Sequence, residues 1–322
     1  MNHATITPGQ AYERLAQNIQ QVVRGKPELV RLAVACLFTE GHLLVEDVPG
    51  VGKTTLARCL ARSVAGTWRR IQFTPDLLPS DVTGVMVFNQ IAATFDFHPG
   101  GIFANVVLAD EINRATPKTQ AALLEVMEER TVTVDAVRHE VPRPFMVVAT
   151  QNPVDMDGTY RLPEAQLDRF LMRVGVGYPE RGAEVRVLLD DSAGVSPEQL
   201  LPAVSLEELA NVIEVVRRSH VDEQVCDYAV RLAAATREHD DLRLGASPRG
   251  SVALVRAARA LAATHDRSFV TPDDIKQVAV PVLNHRLILR PEAELRRRSP
   301  AALIEELLAE VPVPTISGRV YA

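Results

Sequence analysis

The chain has 322 residues, 47% hydrophobic and 24% charged, with 35 basic and 41 acidic side chains for a net charge of −6. That make-up gives a globular protein with room for about two domains and argues against one coated in basic charge for nucleic acid. No apolar run approaches the ~20 residues that span a bilayer, and Met1-Asn2-His3-Ala4-Thr5 does not read as a signal peptide. Cys36, Cys59 and Cys226 are scattered and odd in number, so buried free thiols in a reducing cytoplasm are expected rather than a disulfide framework or a zinc site.

From the N-terminus, Leu15, Ile19, Val22 and Val23 share a helical face and predict a helix from Pro8 to Val23, stopped at Gly25. A second helix is expected from Pro27, at its first turn, to Glu40. Strand Leu43–Glu46 then leads into Glu46-Asp47-Val48-Pro49-Gly50-Val51-Gly52-Lys53-Thr54-Thr55, and Leu56-Ala57-Arg58-Cys59-Leu60-Ala61 continues as a helix. Strand, Gly-rich turn and helix are the context of a phosphate-binding P-loop. Gly50 and Gly52 let backbone N–H groups turn inward onto phosphate oxygens, and the helix N-terminus adds partial positive charge. Lys53 would reach the β- and γ-phosphates of ATP, and the Thr54 hydroxyl would ligate Mg²⁺. Asp47, Pro49, Val51 and Thr55 complete the candidate loop; the strict pattern has Gly where this chain has Asp47.

Trp68–Phe73 reads as a short strand, Gly84–Phe97 as a hairpin, Pro99-Gly100-Gly101 as a turn, and Asn105–Ala109 as a strand buried in a parallel sheet. A helix from Pro117 to about Arg130, a second hairpin over Thr131–Val141 and a strand over Phe145–Thr150 follow. A helix is expected from Pro163 to about Leu171, with Val174–Tyr178 as the last strand. Beyond Gly182 the texture becomes helical. A linker is expected around Asp191–Pro197, helices over Ser205–Ser219, Asp222–Glu238, Pro248–His265 and Thr271–Leu289, and an extended tail at Val311–Thr315. The cluster Arg296-Arg297-Arg298 reads as the solvated end of a helix.

The strand Val106–Ala109 runs into Asp110 and Glu111, and strand C-terminal ends are where open α/β sheets bind ligands. Asp110 would hold Mg²⁺ through water, and Glu111 would polarise the water that attacks the γ-phosphate. Gln151-Asn152-Pro153, at the end of the next strand, places a polar amide where it could orient that water.

Three long strings go beyond general phosphate chemistry. They are Leu108-Ala109-Asp110-Glu111-Ile112-Asn113-Arg114-Ala115-Thr116-Pro117-Lys118-Thr119-Gln120-Ala121-Ala122-Leu123-Leu124-Glu125, Gln72-Phe73-Thr74-Pro75-Asp76-Leu77-Leu78-Pro79-Ser80-Asp81 and Leu162-Pro163-Glu164-Ala165-Gln166-Leu167-Asp168-Arg169-Phe170. Through them the chain resembles MoxR-type AAA+ ATPases from about Gly25 to Arg290, and that family tolerates Asp at position 47. The resemblance implies an α/β AAA+ core over 1–185, a parallel sheet flanked by helices with hairpin inserts. It further implies a linker over 186–200, an all-α lid over 201–295 and a tail over 296–322. It also implies rings, usually hexamers, with ATP between subunits. Asn152 then corresponds to sensor 1, Arg169 to an arginine finger and Arg249 to sensor 2 on the lid, with Arg114 a weaker candidate for an intersubunit contact. From the residues alone, Arg169 reads as an ion-pair partner of Asp168 or Glu164, and Arg249 as a cation poorly placed near a helix start.

The expected function is chaperone-like, ATP-driven remodelling or maturation of a protein complex, with a von Willebrand factor A-domain partner and a protein client. A magnesium-chelatase-like motor subunit and a nucleic-acid-remodelling ATPase are the alternatives. The acidic balance weighs against the latter. A scaffold without turnover is disfavoured because Lys53, Thr54, Asp110, Glu111, Asn152, Arg169 and Arg249 are all present.

Overall fold

A computed structural model describes residues 6–48, 50–152, 159–192 and 196–314. In chain order, α1 (Pro8–Gln20) and α2 (Pro27–Phe38) precede β1 (Leu43–Glu46), and α3 (Lys53–Ser63) and β2 (Trp68–Gln72) follow. Next come α4 (Pro79–Thr83), β3 (Gly84–Asn89), β4 (Thr94–Pro99), β5 (Val106–Asp110), α5 (Pro117–Glu129), β6 (Thr131–Val134), β7 (Val137–Glu140), β8 (Met146–Gln151), α6 (Glu164–Leu167) and β9 (Met172–Val174). The remainder holds α7 (Arg181–Ser192), α8 (Leu206–Arg218), α9 (Glu223–Glu238), β10 (Leu242–Leu244), α10 (Pro248–Ala263), α11 (Pro272–Leu283), β11 (Ile288–Leu289), α12 (Pro291–Leu295) and α13 (Pro300–Glu310).

Five strands form one parallel sheet in the order β2-β5-β8-β1-β9. The inner strands β5, β8 and β1 are buried on both faces, as continuous apolar runs require, while edge strand β2 exposes Arg69 and Arg70. Strand periodicity sends Leu43, Val45, Val106, Leu108, Met146 and Val148 to one face, where one apolar cluster continues through α1–α3 into the lid helices. Leu44, Val107, Ala109, Val147 and Ala149 point the other way and pack with Leu123, Leu124 and Met127 of α5 and with Phe170. The two hairpins, β3–β4 and β6–β7, stand off this sheet as separate antiparallel pairs. Helix α1 begins with a capping box between Thr7 and Gln10, and α8 with one between Ser205 and Glu208.

Several stretches differ from the sequence expectation. The helix expected over Pro163–Leu171 is a single turn, because lid side chains hold the carbonyls of Asp168, Phe170 and Leu171. The last strand is Met172–Val174 rather than Val174–Tyr178: Gly177 has φ +65° and gives its N–H to Asp47. The helix from Thr271 stops at Leu283, two residues past Pro281, which cannot donate the helical hydrogen bond, and β11 pairs with β10 instead. Helices α4, α7, α12 and α13 carry no individual sequence expectation; α7 crosses position 185, and α13 buries Leu303, Ile304 and Leu307 within the stretch expected to be a tail. Residues 193–195 of the expected linker, Pro153 and the tail from Thr315 lie outside the described residues. Arg296 and Arg298 pair with Asp241 at 2.5 and 3.2 Å, as a solvated, neutralised helix end should. Cys36 and Cys59 are buried, and burial pushes both thiols up to about 12; Cys226 on α9 is half-exposed, against the expectation of three buried thiols.

Just ahead of β1, His42 is buried with Nε2 3.0 Å from Met127 O and Nδ1 accepting the Val147 N–H at 3.0 Å. Those partners suit only the neutral ring, since a proton on Nδ1 would face an N–H. Burial pushes its pKa down to about 3, with Arg130 and Arg256 adding to the effect against the Met127 hydrogen bond. The unfolded ring takes its proton near pH 6.5, so His42 contributes stability above that pH. That contribution is lost as pH falls toward 3, by about 1.4 kcal/mol per unit. Urea midpoints of the wild type should therefore drop between pH 6.5 and 4.5. His42→Asn, which keeps an acceptor for Val147, should be less stable at pH 7 and flatter over that window. Equal slopes for the two proteins would rule out His42 as the source.

Candidate nucleotide site

The C-terminal edge of the sheet gathers most of the residues expected to act on phosphate. Gly50 and Gly52 have φ +83° and +94°, and a Cβ at either would meet nothing within 4 Å. Their role is thus conformational: they let the loop turn its N–H groups toward open space. Gly52 caps α3, so Lys53, Thr54 and Thr55 form the first turn of an eleven-residue helix. Lys53 Nζ donates to the carbonyls of Asp47 and, at 3.0 Å, Gln151, which ties the loop to the end of β8. Val51 packs on the core. Pro49 lies outside the described residues.

Asp47 has a structural task at the position where the strict pattern carries Gly. Its Oδ1 accepts the Val48 N–H at 2.7 Å and its Oδ2 the Gly177 N–H at 2.6 Å. One side chain therefore fastens the base of the loop to the segment that leaves β9.

Asp110 and Glu111 sit at the end of β5, two strands away. Asp110 is 6% exposed. Its Oδ1 accepts from Thr150 Oγ1 at 2.5 Å and its Oδ2 from Arg70 Nη2 at 2.6 Å. Glu111 has left-handed backbone, φ 55° and ψ 49°, an uncommon conformation for a residue with a Cβ. It is held there by its own N–H, which donates to the same Thr150 hydroxyl at 2.9 Å. Its Oε2 accepts from Gln72 Nε2 at 3.1 Å and pairs with Arg114 Nη1 at 3.2 Å. Gln120 buttresses the turn from below, donating to the carbonyls of Ile112, Ala115 and Tyr160. Among the described residues, seven other non-glycine ones share left-handed backbone, Glu40 and Arg130 among them; Glu111 differs in lying at the C-terminal end of a strand of the parallel sheet. Asn152 closes the edge: it is buried at the end of β8, and its carbonyl accepts from Asn113 Nδ2 at 3.3 Å.

The donor set suits a magnesium–nucleotide complex. A Thr hydroxyl and a carboxylate are hard oxygen ligands, and Mg²⁺ ordinarily takes one or two such groups and completes its shell with phosphate and water. Thr54 and Asp110 are the residues that would hold it.

Arg169 and Arg249 lie elsewhere. The N–H of Leu171 donates to His42 O at 2.8 Å, and Met172 pairs with Leu43, so Arg169 enters at the N-terminal edge of the sheet. The phosphate loop leaves the opposite edge, and the four residues of β1 alone separate the two by about 13 Å. Arg169 Nη2 pairs with Glu128 Oε2 at 3.1 Å, not with Asp168 or Glu164 as the sequence suggests. Arg249, second residue of α10 and 61% exposed, takes Glu128 Oε1 at 2.9 Å. Two guanidinium groups thus share one carboxylate in a cleft of about 490 Å³, which leaves an excess positive charge there. A larger cleft, about 1030 Å³ between α8, α10 and the end of α2, is away from the phosphate loop.

Thr150, Gln72, Arg70 and Glu128 had no assigned role from sequence. Gln72 and Thr150 could have been found by asking which polar residues end the strands beside Asp110. Glu128 could not, because its partners come from two distant segments.

Fold and site together define a P-loop α/β core with a helical lid. Residues 42–172 match the ATPase family associated with various cellular activities (AAA), and residues 234–307 match the AAA lid domain. The uncharacterised protein YeaC of Bacillus subtilis is 46% identical over 301 residues, 94% of each chain. Chaperone MoxR1 of Mycobacterium tuberculosis is 40% identical over 95% of this chain and 83% of its own. A solved chain from Cytophaga hutchinsonii, described as a candidate ATPase, is 37% identical and superposes with a TM-score of 0.89 over 96% of both chains. The chain belongs to the MoxR family of AAA+ ATPases.

Proposed function

We propose that this protein hydrolyses ATP in a homo-oligomeric ring, a hexamer on the family resemblance, and uses the cycle to remodel or mature a protein complex in the cytoplasm. The observation that carries this reading is the separation of its two arginines from its own phosphate loop. A cation about 13 Å or more away across the sheet cannot neutralise charge on a phosphate bound at residues 47–55, whereas it can serve a site offered by an adjoining copy. An arginine supplied in trans is an established way to stabilise charge in phosphoryl transfer.

In this reading the loop N–H groups and Lys53 bind and orient the β- and γ-phosphates. Thr54 and Asp110 hold Mg²⁺, which when bound offsets phosphate charge. Glu111 polarises the attacking water, and Asn152 orients it. Arg169 and Arg249 stabilise the charge of the transferred group on the neighbouring subunit. Val185, Val187, Leu188 and Leu189 of α7 are exposed, which suits a surface covered on assembly. Phe88, Ile91 and Phe95 are exposed on β3–β4 and suit a protein client better than a phosphodiester backbone. A von Willebrand factor A-domain protein is the partner class implied by the resemblance.

The test is specific ATPase activity against protein concentration, with light scattering on the same samples. Activity per subunit should rise as mass rises from one subunit to several. A rate that is independent of concentration and comes from a monomer would end the shared-site reading.

A further inference from the structure

Arg286 belongs to the lid, in the helical turn after α11, and its side chain is only 4% exposed. Its guanidinium reaches across to the segment that carries Arg169. Nε donates to Asp168 Oδ1 at 2.7 Å, Nη2 to Asp168 O at 3.2 Å and to Phe170 O at 2.7 Å, and Nη1 to Leu171 O at 3.3 Å. These acceptors lie on both sides of Arg169. A further lid group reinforces the grip: Ser247 Oγ donates to Asp168 Oδ2 at 3.3 Å. The backbone at 168–171 would otherwise continue α6. Its carbonyls instead find their donors in another part of the chain, and a planar, always-charged fork is the side chain able to satisfy several at once.

We propose that Arg286 is a positioning residue that makes the pose of Arg169 depend on how the subunit's own lid is seated. When the lid shifts during turnover, the carbonyls on either side of Arg169 lose their donors and the arginine offered to the adjoining subunit is withdrawn. The seating of the lid and the pose of Arg169 are thereby linked within one subunit. This rests on the reading of Arg169 as acting in trans.

The test uses mixed assemblies of full-length chains. Acceptor subunits carry Arg169→Ala and keep an intact phosphate loop. Donor subunits carry Glu111→Gln and keep Arg169. Glu111→Gln donors should restore turnover to the acceptors. Donors that also carry Arg286→Lys, which keeps the charge but cannot reach all the acceptors, should restore at least tenfold less, with unchanged mass by light scattering and unchanged ATP affinity. In the uniform Arg286→Lys protein kcat should fall while KM for ATP stays put, a split that general loosening of the fold would not give. If Glu111→Gln donors restore nothing, the trans reading fails first. If they restore turnover and the Arg286→Lys donors do so equally well, Arg286 is only a packing element and the proposal is overturned. Should Arg286→Lys subunits fail to assemble, donors with Glu111→Gln and Asp168→Asn decide the matter: that change keeps the shape of Asp168 and removes only its charge. At least a threefold loss supports the proposal, and full restoration overturns it.

Discussion

Replacing Arg169 with alanine is expected to lower ATP turnover of the uniform protein by about 10³-fold or more, the scale on which an arginine supplied in trans contributes to phosphoryl transfer. Folding should be little affected. The residue's ion-pair partner is Glu128, which keeps Arg249, and a half-exposed pair of this kind is worth under about 1 kcal/mol. ATP affinity should also change little, because the phosphate loop is at the other edge of the sheet. The diagnostic result is recovery on mixing. Arg169→Ala subunits have a complete loop and acidic pair but offer no arginine; Glu111→Gln subunits offer the arginine but cannot turn over. Neither should be active alone, and mixtures should regain a share of activity that follows the fraction of productive neighbours. Additive, near-zero activity at every ratio would remove Arg169 from the trans role.

The second large effect concerns Glu111. Glu111→Gln is expected to bind ATP normally and to hydrolyse it about 10²- to 10⁴-fold more slowly, the range for loss of a general base. Glutamine has nearly the same shape and can still bond with Gln72, and the strained backbone at this position is held by Thr150, not by the side chain. Binding and catalysis should therefore separate cleanly: single-turnover hydrolysis falls while equilibrium binding of ATP stays. A variant with full turnover would exclude Glu111 as the group that activates water. Fast hydrolysis with weakened binding would assign it to the phosphate loop's side of the work.

The parts of this architecture legible from sequence were those written in contiguous residues. Leu43–Glu46, the Gly50–Gly52 turn and Lys53 form one local unit, and the strand was placed to the residue because apolar run, glycine and helix start follow one another directly. The hairpins were legible from alternation. What was not legible depends on long-range partners. Nothing within 163–171 says that the helix ends after one turn; its terminator is Arg286, more than a hundred positions later. The pairing of Arg169 with Glu128 has the same character, since Asp168 and Glu164 are nearer in sequence and the fold engages Asp168 with the lid instead. From sequence Asp47 is only a departure from the P-loop pattern, because the N–H it accepts, that of Gly177, belongs to a segment 130 residues on.

The differing surroundings of the three cysteines have a practical outcome. Cys36 and Cys59 are sealed in apolar packing with their thiols pushed up to about 12, so at neutral pH neither presents the thiolate that alkylating reagents attack. Cys226 is half-exposed on α9 in the lid. A thiol-reactive dye is therefore expected to label Cys226 ahead of Cys36 and Cys59, which places the label on the lid without removal of other cysteines.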